Sequence, residues 1–187
     1  MPGKNACPTV TVNLTMQASV NPLIDADISR LHPWVTVAAV VGALLLQAYL
    51  PQFFSYANMA DFPLLVTIYL ALLRRNPIMG LLIGLVVGLG QDSLSNGWIG
   101  MYGIIKTVIG YTCSSLTLVL AVDPLATRVI LVLGFYVAHQ LVFWAMQRVL
   151  LDQVVVFVWQ RTLLLAVINA LLALVIYRFL DRFRERI

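Results

Sequence analysis

The sequence predicts an all-α integral membrane protein, with about six transmembrane helices gathered in one bundle. Three observations point there. Of the 187 residues, 61% are hydrophobic and only 11% are charged, whereas a soluble domain carries about 45–50% apolar and about 25% charged residues. The mean hydropathy is +0.92. Most of the chain falls into apolar runs of about 20 residues, the length of helix that crosses ~30 Å of hydrocarbon.

Residues 1–30 are polar to neutral, hold Pro2, Pro8 and Pro22, and have no apolar stretch after Lys4. They read as a cytosolic tail rather than a signal peptide, followed by a single membrane domain over 31–187. The first span runs from Trp34 to Leu50, between His32-Pro33 and Pro51, with Trp34 and Tyr49 where interfacial aromatics belong. The second, Phe62 to Leu73, has only 12 residues, or about 18 Å at ~1.5 Å per residue. It is either a short span or a re-entrant segment. Asp61 before Phe62-Pro63 marks its start, because an N-cap carboxylate and a first-turn proline both suit unsatisfied amides.

A basic turn, Arg74-Arg75-Asn76-Pro77, leads into a third span from Ile78 to Leu94. The turn Ser95-Asn96-Gly97-Trp98 opens a fourth, Ile99 to Val122, and Asp123-Pro124 separates it from a fifth, Leu125 to Met146. Residues 147–160, broken by Gln147, Arg148, Asp152 and Gln153, read as an interfacial connection. The sixth span runs from Thr162 to Leu180 and stops at a charged run that includes Asp181, Arg182, Arg184 and Arg186.

The net charge of +4 does not suggest nucleic acid, since Lys and Arg sit in short runs beside apolar segments and do not interleave with aromatics. Their placement follows the positive-inside rule. With six spans, Lys4, Arg30, Arg74, Arg75, Arg128, Arg178, Arg182, Arg184 and Arg186 share the side of both termini, and Arg148 and Arg161 lie opposite. This predicts cytoplasmic N- and C-termini. Cys7 and Cys113 lack metal or disulfide spacing and read as structurally incidental.

Polar groups in hydrocarbon are costly and normally face the bundle interior. Gln47, Asp92, Lys106, His139, Gln140 and Asn169 are expected to form such an intramembrane cluster. Counted from the outer helix ends, Gln47 and Asp92 lie roughly 7 Å deep and Lys106, His139 and Asn169 roughly 13 Å deep. Asp92 and Lys106 flank the 95–98 turn and are expected to pair, the lysine stem covering the ~6 Å difference by snorkelling. Such a pair either holds two helices in register or belongs to a pathway or ligand site.

Gly80, Gly84 and Gly88 recur four residues apart, with Gly90 nearby. A stripe without side chains admits another backbone, either from a second copy in a homodimer or from a neighbouring helix of the same chain. No second histidine stands at metal spacing, no Ser-His-Asp set has a nucleophile elbow, and no glycine loop cradles phosphate. No catalytic residue, metal or cofactor is therefore expected.

The short Phe62-Pro63-Leu64-Leu65-Val66 helix, the basic turn, the glycine-rich helix from Gly80 to Gln91-Asp92-Ser93-Leu94, and then Gly100-Met101-Tyr102-Gly103 and Gly110-Tyr111 resemble the MreD family. The resemblance covers roughly residues 34–180; Lys106 and the tail 1–30 depart from it. It implies a non-enzymatic component of the bacterial inner membrane that belongs to the cell-elongation complex. Its implied partner is MreC, a single-span membrane protein, and through it the MreB filament is coupled to the peptidoglycan synthases RodA and penicillin-binding protein 2. It also implies a fold like the six-helix substrate-binding subunits of energy-coupling-factor transporters. The shared depth of the polar residues keeps a second reading open, a small-molecule-binding subunit of a membrane transporter.

Overall fold

The computed structural model describes residues 30–53, 59–95, 97–120 and 124–185. Most of the N-terminal tail, with Cys7, lies outside them, as do Asn96, Asp123 and Arg186. The described residues form six helices: α1 Pro33–Phe53, α2 Phe62–Leu73, α3 Pro77–Leu94, α4 Met101–Leu116, α5 Leu125–Leu150 and α6 Trp159–Leu180. Four of these, α1, α3, α5 and α6, are long and apolar enough to cross a membrane. The chain is a multi-pass membrane protein. The other two, with 12 residues in α2 and 16 in α4, fall short of a full span.

Starts and stops follow local chemistry. Asp61 caps α2 by accepting from Leu64 N at 2.9 Å, and Asn76 caps α3 by accepting from Ile78 N at 3.0 Å. Each of these helices has a proline in its first turn, where a missing N–H costs nothing. Two boundaries move from the expected ones. α4 ends at Leu116, short of Val122, where Thr117 Oγ1 donates to Ser114 O and the chain turns. α5 continues past Met146 to Leu150, so Gln147 and Arg148 sit on its last turns, and residues 151–158 are left as the connection.

α2 is the centre of the bundle, with every residue from Pro63 to Leu72 buried. Lipid is as apolar as leucine, so burial alone does not hold a helix there; close packing and interhelical hydrogen bonds must. Ser114 Oγ on α4 donates to Ala71 O at 2.9 Å, and Tyr177 OH on α6 donates to Leu65 O at 3.0 Å. Cys113 is a small buried group beside them, its thiol 3.7 Å from Ile68 O.

The glycine stripe on α3 is used within the chain. A Cβ added at Gly80 would collide with Gly110 O and Ser114 Oγ, one at Gly84 with Lys106 O, and one at Gly88 with Gly103 Cα at 2.6 Å. α3 and α4 thus meet backbone to backbone, the intramolecular alternative of the two readings. Gly90 turns toward α1 instead, and its added Cβ would come within 2.8 Å of Leu44 Cδ1.

At one end of the bundle a two-residue strand β1, Arg30–Leu31, pairs antiparallel with β2, Arg184–Glu185. Asp181 lies just inside that end, bound by Arg128 Nη1 at 3.1 Å and by Tyr69 OH at 2.8 Å. These contacts put the last turns of α2 and α6 and the start of α5 at the same level. α2 therefore runs from this end only part of the way across, about 18 Å at ~1.5 Å per residue, and its N-terminus lies inside the bundle.

Candidate functional site

A helix that begins inside a bundle brings its unpaired amides and its capping residue into low dielectric, where each must find a partner. The start of α2 meets that requirement group by group. Asp61 N donates to Asn169 Oδ1 at 2.9 Å, and Phe62 N to Gln47 Oε1 at 3.1 Å. Pro63 has no N–H, Leu64 N takes the Asp61 carboxylate, and Leu65 N takes Asp61 O at 3.1 Å. Asn169 also donates through Nδ2 to Met59 O and to Leu165 O, both at 2.9 Å, so it fixes the non-helical backbone of residues 59–61 against α6.

The carboxylate of Asp61 is then neutralised from α4. Lys106 Nζ donates to Oδ1 at 3.1 Å and to Oδ2 at 3.2 Å, and the lysine is 0% exposed. His139 Nε2 on α5 stands 3.6 Å from Asp61 Oδ2, too long for a hydrogen bond. Gln47, Lys106, His139 and Asn169, drawn from four different helices, thus converge on Asp61. Four of the six residues expected to cluster thus meet around Asp61, a residue outside the expected set, while Gln140 bonds Tyr136 and Asp92 is held at the start of α4.

The expected Asp92–Lys106 pair does not form. Asp92, 2% exposed, accepts instead from Tyr102 N at 3.0 Å and Gly103 N at 2.9 Å. The physical reason lies in the turn between the helices. α4 starts on Gly100, whose φ of +95° favours glycine and whose missing side chain leaves the first amides uncapped. The end of α3 brings Asp92 to those amides, where a carboxylate is also favoured by the helix dipole. Lys106, one turn further along, is directed inward to the start of α2.

One side of the Asp61 centre is open. A cavity of about 180 Å³ is walled by Gln47, Asp61, Gln91, Tyr102, Tyr136 and His139, with Gln140 and Phe143 beside them. Gln140 Nε2 donates to Tyr136 OH at 3.0 Å, which leaves the Tyr136 proton free to donate. Among the described residues, neither ring nitrogen of His139 nor Oε1 of Gln91 has a hydrogen-bond partner. The set offers no metal centre, since no group of three or more His, Cys, Asp or Glu is placed to hold an ion among the described residues. It also lacks an activated nucleophile: its one strong carboxylate is already bound by a lysine and a backbone amide.

The sequence marks Asp61 as a helix cap, and its depth follows from the length of α2. A helix too short to span, started by a carboxylate, places that carboxylate within the hydrocarbon and demands a cation from another helix. Lys106 is the one lysine or arginine deep within an expected span, since Arg128 and Arg178 lie within a turn of the ends of theirs. Those two facts identify the pair.

No curated protein and no solved structure matches the chain. A family model described as rod shape-determining protein MreD matches residues 28–183. That stretch takes in all six helices and every residue of the Asp61 centre, and the family is a non-enzymatic one that determines cell shape. The chain belongs to the MreD family of rod shape-determining membrane proteins.

Proposed function

We propose that this protein acts in the bacterial inner membrane as a scaffold of the cell-elongation complex, holding the single transmembrane helix of an MreC protein. Through that partner it helps link the MreB filament to peptidoglycan synthesis by RodA and penicillin-binding protein 2. Both termini lie in the cytoplasm on this reading. The pairing of β1 with β2 puts Arg30 and Arg184 at one end of the bundle, and Arg74, Arg75 and Arg128 belong to the same end, in keeping with the positive-inside rule.

The observation that carries the partner assignment is a groove of about 490 Å³ between α1 and α3, floored by Leu70 of α2. Val37, Val41, Leu82 and Val86 line it and are between 45% and 63% exposed. Ala43 is the one fully buried residue of α1, and Val37, Val41, Leu45 and Leu46 are all exposed along it, so α1 leaves an apolar flank open to whatever lies beside it.

Filling the groove tests the assignment. Val41→Trp should lower the amount of MreC recovered with the protein after gentle detergent extraction by at least tenfold. Ile130→Trp, on the exposed face of α5, should leave recovery unchanged. Equal recovery with both variants would place the partner elsewhere.

A further inference from the structure

We propose that the cavity between α5, α6 and the 151–158 connection binds one phospholipid of the outer leaflet, with a net anionic headgroup, through Arg161. The proposal involves none of the residues of the α1–α3 groove and does not rest on the partner held there.

Charge comes first. Arg148 and Arg161 are the two basic residues at the end opposite the chain termini, against the trend of the positive-inside rule. Arg161 is exposed and forms part of the wall of a cavity of about 290 Å³. Among the described residues it makes no ion pair and no hydrogen bond. The carboxylates nearest this end do not serve it. Asp61 is bound by Lys106, Asp92 accepts from the amides of Tyr102 and Gly103, and Asp152 is not part of the cavity wall. The cavity therefore presents a positive charge with no counter-ion.

Depth names the counter-ion. Measured from the end marked by the Arg128–Asp181 pair, Arg161 lies about 28 Å along α6, and Tyr136, at the inner extreme of the cavity, about 16 Å along α5, at ~1.5 Å per residue. The cavity thus reaches from mid-membrane to the outer boundary of a ~30 Å hydrocarbon layer. A guanidinium at that boundary is costly without an anion. The anion that the bilayer itself supplies at this level is the lipid phosphodiester, which arginine grips through two parallel N–H donors.

The rest of the wall suits a whole lipid better than a lone phosphate. Inward of Arg161, Gln140 donates one amide proton to Tyr136 OH at 3.0 Å and keeps the other for an ester carbonyl. Phe143 and Leu165 give an apolar wall to the start of the acyl chains. Outward of Arg161, the Gln147 side chain has no hydrogen-bond partner among the described residues and faces the level of the headgroup. Gln140, Phe143, Gln147 and Leu165 are all only partly buried, so a ligand in the cavity reaches them. A zwitterionic headgroup would bring a second cation to Arg161 with no carboxylate to receive it, whereas the glycerol of phosphatidylglycerol brings only hydroxyls.

The test uses the full chain in phosphatidylcholine vesicles, with Trp144 on the cavity wall as the one tryptophan and Trp34, Trp98 and Trp159 replaced by Phe. A small fraction of brominated phosphatidylglycerol should quench Trp144 fluorescence at least twofold more than the same fraction of brominated phosphatidylcholine. Arg161→Gln, at an exposed position that bonds no other residue, should make the two lipids equal. Arg148→Gln, at the same end but outside the cavity wall, should leave the preference unchanged, and excess soluble glycerol phosphate should not relieve it. Equal quenching in the parent protein, a preference that survives Arg161→Gln, or one that is lost equally in Arg148→Gln would each overturn the proposal. Relief by glycerol phosphate would overturn the lipid as occupant and assign Arg161 to a soluble phosphate.

Discussion

Lys106→Met is expected to be the most damaging single substitution in the protein, lowering stability by about 3–5 kcal/mol, the usual cost of removing one partner of a buried ion pair. The methionine fills nearly the same volume, so the loss is electrostatic. Asp61 is left with a carboxylate whose side chain is only 14% exposed, facing His139 at 3.6 Å and no cation. Asp61→Asn should be damaging for the complementary reason, because it strands an ammonium group that is fully buried. The double variant Asp61→Asn/Lys106→Met should recover most of the loss. Asparagine still caps α2 through the Leu64 amide, and no charge remains to be matched. Thermal melting of the purified protein in detergent measures all three. Equal melting temperatures for Lys106→Met and wild type would mean that Asp61 does not depend on Lys106.

The second large effect is steric. At Gly84 the α4 backbone occupies the position of a Cβ, with Lys106 C only 2.6 Å and Thr107 Cα only 3.0 Å away. Backbone cannot rotate out of the way as a side-chain end can, so Gly84→Ala must push α4 off α3. Overpacking of this kind costs about 1–3 kcal/mol, and here it also shifts the helix that carries Lys106. Gly42 on α1 and Gly134 on α5 provide the control, because nothing lies within 4 Å of a Cβ at either. Alanine there should be neutral or stabilising by about 0.5–1 kcal/mol, since glycine weakens a helix interior by that amount. Similar melting temperatures for Gly84→Ala and Gly42→Ala would contradict the close α3–α4 contact.

The two effects share a cause that explains how far the fold could be read from sequence. Element positions follow from local chemistry, and α2 begins and ends where Asp61, Pro63 and the Arg74-Arg75 turn predict. The polar cluster was also legible, because Gln47, Lys106, His139 and Asn169 are expensive in hydrocarbon wherever they sit on their helices. Pairing was not legible in the same way. Asp92 and Lys106 are close in sequence and similar in depth, but the uncapped amides after Gly100 take Asp92 first. Lys106 finds its partner 45 residues away, across a contact that depends on which helix occupies the centre. Helix order around a bundle is a packing result, and the small hydrophobic differences along these helices do not encode it. The same holds for the glycine stripe, where spacing implied a close approach but not which backbone approaches.

Whether this protein maintains rod shape as a membrane scaffold is read most directly from cell shape itself. Depleting the protein in its rod-shaped host should give rounded cells. A wild-type copy should restore rods, whereas Val41→Trp, produced at the same level in the membrane, should not. Rods that persist through depletion would contradict the role in shape, and rods restored in full by Val41→Trp would contradict the scaffold groove.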